Sequence, residues 1–201
     1  MGLKNIQQFK EELSRLQQNY EQDDITREEI ITFARKALKP AKQAIYAAHR
    51  NDLTEAEKLL ETAKDAINEA HKRLEASGLR DVGMLHASVE EYIEGLCYVS
   101  FIKNGSLPLL SDLNLTFTPK PETYLQAMCD CAGELSRRAV IAATKNEKNV
   151  VVTIHETLGE LLELFMEFDF RSSELRKKTE NLKYSLNKVE SILYDLQVKA
   201  R

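Results

Sequence analysis

Leu53, Ala56, Leu60, Ala63, Ile67, Ala70 and Leu74 recur at spacings of three and four. A stripe of that period can be buried along its whole length only if the segment is a helix. Asp52 followed by Glu55 forms a capping-box signal at its start, and Ser77-Gly78 supplies a stop. Leu175, Leu182, Leu186, Val189, Leu193 and Leu196 repeat the device near the other end of the chain. Residues 3–49 read as one or two helices, with Pro40 either kinking or dividing them. A further helix is predicted from Val82 to Lys103, carrying Leu85, Val89, Tyr92, Leu96 and Val99 on one face. The loop NGSLPLLSDLNLTFTPKPE follows with three of the four prolines, and helix resumes from Pro121 to Lys145. The β-branched run NVVVTI would suit a strand, but it leads straight into ETLGELLELFMEF and has no partner strand in view, so it is read as helix. The expected architecture is all-α, six to seven long helices in an antiparallel bundle, a single domain over residues 1–201.

Composition narrows what such a bundle can do. With 7 Gly and 4 Pro in 201 residues the chain has few turns, and 30% charged residues make it water-soluble. No uncharged run approaches the roughly 18–20 residues needed to cross a bilayer. The start MGLKNIQQFKEELSRL is amphipathic and mixed in charge, unlike a signal peptide, and lacks the Ser or Thr a myristoylation site wants at position 6. A cytoplasmic location is expected. Cys97, Cys129 and Cys131 cannot all pair, and none has a zinc-type neighbour, so all three are read as reduced and structural. The net charge of −4 hides segregation. Ile30 to Arg50 holds five basic residues and no acid, Asp81 to Phe170 has a net −8, and Arg171 to Arg201 a net +4. Basic arms around an acidic middle suit a polyanion that must reach a cation-binding centre, and equally suit ordinary solvated helix faces.

Within the acidic middle, EEYIEG places Glu91 and Glu94 three apart, and CDCAGE places Asp130 and Glu134 four apart. Each pair therefore shares one side of its helix. With Tyr124, Met128, Cys131 and Leu135 taken as the core face, Asp130 and Glu134 fall about 110–150° away, on one flank. Four carboxylates facing one another across a groove would repel unless a cation neutralised them. Oxygen donors without Cys or His suit Mg²⁺ or Mn²⁺. Pairs at these spacings also arise freely on solvated helices. A di-iron centre is excluded because Tyr46, Asn68, Gly83 and Val152, not Glu, stand three residues before the four histidines. An all-α nucleotide pyrophosphatase fits poorly, since no Glu-x-x-Asp follows Glu94 within the next helix.

EEYIEGLCYVSFIK, YLQAMCDCAGELSRRAV and LRKKTENLKYSLNKVESILYDLQVKAR together resemble the translin/Trax family, over residues 24–201. YEQDDITREEI is similar to the first helix of translin, KQAIYAAHR to a Trax segment. The resemblance implies a translin-like all-α fold and closed, octamer-like shells around RNA. Glu91, Glu94, Asp130 and Glu134 match the acids that the RNA-cleaving Trax branch carries and translin mostly lacks. They are thereby expected to be both catalytic and metal-holding, with Glu134 orienting water. The implied activity is a Mg²⁺- or Mn²⁺-dependent endoribonuclease, cutting single-stranded or flexible RNA inside a homo-oligomeric shell. Arg35, Lys36, Lys42, Arg50, Arg137 and Arg138 are the expected phosphate holders, while His49 and His86 read as structural. The alternatives are a non-catalytic translin-like RNA or single-stranded DNA binder, and a helical scaffold with no nucleic-acid role.

Overall fold

The computed structural model describes residues 5–198. The MGLK start and the basic Lys199 and Arg201 lie outside the described residues. Among those described, six α-helices and one 3-10 turn (Leu110–Leu113) form an antiparallel bundle with no strand. The helices are α1 (Ile6–His49), α2 (Leu53–Ser77), α3 (Gly83–Asn104), α4 (Pro121–Thr144), α5 (Lys148–Met166) and α6 (Ser173–Val198). The run NVVVTI is helical, within α5.

The helix ends follow local chemistry. Asp52 Oδ1 accepts the Glu55 amide at 3.2 Å to cap α2. Gly78 closes α2 and Gly105 closes α3 with φ of 73° and 69°, a conformation costly for residues with a Cβ. Pro40 does not divide α1, which runs unbroken for 44 residues.

Its two halves differ. From Asn5 to Glu29 every residue except Thr26 is exposed, including Ile6, Phe9, Leu13, Leu16 and Tyr20, spaced three and four apart. That seam finds no cover among the described residues. From Ile30 onward the buried face is Ile30 followed mainly by alanine, at 34, 37, 41, 44, 47 and 48. Small side chains here let α1 lie close against α2 and α3.

Gly95 sets the closest approach. A Cβ there would meet Leu60 Cδ2 at 3.1 Å and the Ala41 carbonyl oxygen at 3.4 Å. Gly95→Val is therefore expected to cost about 2–3 kcal/mol by prising α3 from α1 and α2, seen as a lower urea midpoint. A midpoint unchanged from wild type would show that the helices have slack there.

Packing orders the bundle. α3 touches α1, α2 and α4; α4 touches α3, α5 and α6. Because α4 is covered on two sides, Cys129 and Cys131 are both buried although they point away from each other. α3 is buried almost all round, by Leu85, Ser88, Val89, Tyr92, Ile93, Cys97 and Tyr98 among others. Beside the partly open Leu96, Ser100 and Lys103, a second open stripe of it carries acids.

Candidate functional site

The acidic stripe of α3, with Glu90, Glu91 and Glu94, floors a cleft of about 420 Å³ that Lys42 of α1 and Asp130 of α4 also line. Three half-exposed acids on one stripe of a largely buried helix are costly to gather. The structure shows how the cost is met at most of them. Lys42 Nζ lies 3.6 Å from Glu91. Lys178 of α6 reaches in to donate to Glu90 and to Asp130, each at 2.5 Å. His49 Nε2 donates to Glu134 at 2.5 Å, while the Tyr98 hydroxyl donates to His49 Nδ1 at 2.8 Å. Arg137 stands 3.8 Å from Glu134 and over the Tyr46 ring at 5.5 Å.

Glu94 is different. Among the described residues no cation pairs with it. Burial pushes its carboxyl up to about 8, with further upward pressure from Glu91, Asp130 and Glu134. Burial also raises Glu91, against the pull of Lys42, and raises Glu90, against Lys178. Lys178 is pulled down by burial, but its hydrogen bonds to Asp130 and Glu90 leave it raised. The cleft is thus short of positive charge at its deepest acid.

The donor set fits a hard divalent ion, being carboxylate oxygens around a half-buried acid without a partner. Its present arrangement is not a finished metal cage. Among the described residues no three Asp, Glu, His or Cys side chains converge closely enough to hold an ion. Lys178, Lys42 and His49 account for this, each drawing a carboxylate to itself.

The structure brings Glu91, Glu94, Asp130 and Lys42 into one cleft and sets Glu134 beside it. It adds Glu90, Lys178 and Tyr98, which reasoning from sequence missed, and ties His49, read as structural, to Glu134 and Tyr98. Four expected phosphate holders lie elsewhere. Lys36 sits over Phe33, a ring that Arg73 of α2 also covers, so it faces away from the cleft. Arg35 is exposed but does not line the cleft. Arg138 is corrected outright: it is 9% exposed and directed at Glu147, 3.7 Å away, so a phosphate in solvent cannot reach it. Arg50 is exposed beyond the end of α1.

The Translin family model matches residues 25–200. The chain belongs to the Translin family. Within it, translin of Gallus gallus is 32% identical over 78 residues, and human translin 33% over 78. These matches cover 39% of this chain and 34% of the length of those translins. An uncharacterised protein of Methanocaldococcus jannaschii is 27% identical over 148 residues, 73% of this chain and 64% of its own. Among solved structures, apo-NeC3PO superposes with a TM-score of 0.80 at 21% identity, covering 98% of this chain and 99% of its own. AfC3PO in complex with duplex RNA gives 0.82 at 21%, covering 94% and 97%. At that identity the likeness is one of fold. No described helix is long and apolar enough to cross a membrane.

Proposed function

We propose that this Translin-family chain is a Trax-like, divalent-metal-dependent endoribonuclease, and the observation that carries the reading is Glu94. A half-buried carboxylate pressed by three others and paired with no protein cation is a seat for a metal ion. Glu91, Glu94 and Asp130 would hold Mg²⁺ or Mn²⁺. The ion, when bound, supplies Lewis acidity toward a phosphodiester oxygen and lowers the pKa of nearby water.

The remaining steps belong to the chain's own residues. Glu134, held at its Oε2 by His49 rather than facing the cleft alone, orients the attacking water and accepts its proton. Lys42, exposed beside Glu91, gives a phosphate an attractive approach to an acidic floor. Arg137 over Tyr46, which is 53% exposed, offers a face on which a base can stack next to the cut. RNA as the ligand is supported by the family and by the duplex RNA in the AfC3PO complex. The uncovered seam Ile6–Phe9–Leu13–Leu16–Tyr20 has the three–four spacing of a coiled-coil face and supports assembly with further copies, as in an octamer-like shell.

Labelled single-stranded RNA and a matching duplex, incubated with Mg²⁺ or Mn²⁺ against EDTA, test this directly. Wild type is expected to cut only with the ion, and Asp130→Ala, checked for intact assembly, to lose at least about 100-fold. Equal activity in both proteins would remove the cleft from the chemistry. The second reading, a binding shell that does not cut, draws on Lys42, His49 and Lys178 already engaging the acids. It predicts RNA binding that weakens steeply with salt and no metal-dependent cleavage.

A further inference from the structure

Lys178 is the one cation in the cleft that comes from α6, and it holds two acids at once. Its ammonium lies 2.5 Å from Glu90 and 2.5 Å from Asp130, with the side chain only 16% exposed. Asp130 is an acid that the metal reading needs; Glu90 is not. The lysine sits on the α6 seam midway between Leu175 and Leu182, three residues after the one and four before the other, both buried. Its backbone is thereby fixed against the bundle, while four methylenes leave the ammonium free to move by a few ångströms.

We infer that Lys178 is the resident cation of the acidic cleft, which gives up Asp130 when a divalent ion enters and then turns to a phosphate of the bound strand. This rests on the metal reading above. In the metal-free protein the ammonium neutralises the Glu90–Asp130 pair, which would otherwise face each other unscreened in a partly dry site. Displacement from Asp130 leaves Lys178 tethered by Glu90 alone. It then holds a compact positive charge beside the ion, where the RNA backbone must pass. The same charge that blocks the cage without RNA thus becomes a holder of the substrate. A divalent ion competes with Lys178 for one carboxylate, so ion affinity and the lysine's charge are opposed.

The test is Mn²⁺ affinity by calorimetry in wild type, Lys178→Met and Lys178→Arg, with binding of a non-hydrolysable RNA analogue measured in parallel. Loss of the competing charge is expected to tighten Mn²⁺ binding in Lys178→Met by roughly tenfold, about the strength of one partly buried ion pair. In the presence of Mn²⁺ the same variant is expected to bind the analogue more weakly. Lys178→Arg keeps the charge and should stay near wild type in Mn²⁺ affinity. A lysine that merely braces the fold would give the opposite sign, with Lys178→Met binding Mn²⁺ less well. Unchanged or weaker Mn²⁺ binding in folded Lys178→Met, with wild type binding the ion, overturns the role of Lys178 and leaves the metal reading standing. No Mn²⁺ binding in any of the three overturns both. Should Lys178→Met fold poorly, Lys178→Met/Glu90→Gln removes one charge of each sign and is read the same way.

Discussion

Glu94→Gln is expected to stabilise the metal-free protein above neutral pH while abolishing its response to Mg²⁺ or Mn²⁺. Burial and three neighbouring carboxylates raise the Glu94 carboxyl from 4.5 to about 8 in the folded chain. Unfolding releases it to the ordinary value, so between those two pH values the folded state binds more protons than the unfolded one. Stability therefore falls as pH rises through that window: the favourable contribution is complete below about 4.5 and gone above about 8. Glutamine keeps a similar shape and has no charge to lose. The variant should exceed wild type by about 2–4 kcal/mol at pH 8.5 and match it near pH 5. Glu90 and Glu91 are raised in the same direction but are present in both proteins, so the comparison isolates Glu94. Urea unfolding in EDTA at the two pH values measures the difference. Adding Mn²⁺ should then raise the melting temperature of wild type alone. Parallel pH profiles for the two proteins would mean that Glu94 is not a stressed acid.

Leu182→Ala carries the second large effect, and it acts through the helix that delivers Lys178. α6 is fully buried at only Leu175, Leu182 and Val189, seven residues apart, so its docking depends on a narrow seam. Leu182 is the middle of the three and is 0% exposed. Removing its side chain leaves a cavity between α6 and the bundle, which costs about 3 kcal/mol. For a protein of this size that lowers the melting temperature by about 6–12 °C. Leu193→Ala, at a partly buried position on the same helix, should cost about a third as much. A loss at Leu182 no greater than at Leu193 would show that α6 is held by its ends and not by this seam.

The helices with one wet and one buried face were legible, because their burial is written into the spacing. The stripes of α2 and α6 are buried in the structure much as the alternation predicts, fully at Ala56, Leu60, Ala63, Ile67 and Ala70 on α2. Arg138 was legible too and was misread. It follows Cys131 by seven residues and Leu135 by three, on the core face defined at the outset, and its burial follows from that position. Lys178 falls at the same kind of position on α6, where the seam between Leu175 and Leu182 calls for an apolar residue. A charged side chain in a core register is a signal worth reading. What no spacing contains is which helices meet. Glu90 joins Asp130 only through a lysine 88 residues away from it, and His49 meets Glu134 across 85 residues. Those pairings depend on α3 lying between α1 and α4, which is a property of the packed bundle.

The three thiols lie in the wall behind the acidic cleft, and none reaches its surface. Cys97 is 0% exposed and Cys131 1%, and burial pushes the Cys97 thiol up to about 12. Only the thiolate reacts with disulfide reagents, so Cys97 and Cys131 are silent while α3 and α4 stay together, and Cys129, beside Thr179, while α6 stays docked. Each opening of that wall exposes sulfur, and the rate of labelling then counts openings. The molecule carries its own stopwatch, set next to the residues whose motion matters most. Labelling with and without a divalent ion or RNA would time how often the site comes apart, with no probe added and no residue of the cleft altered.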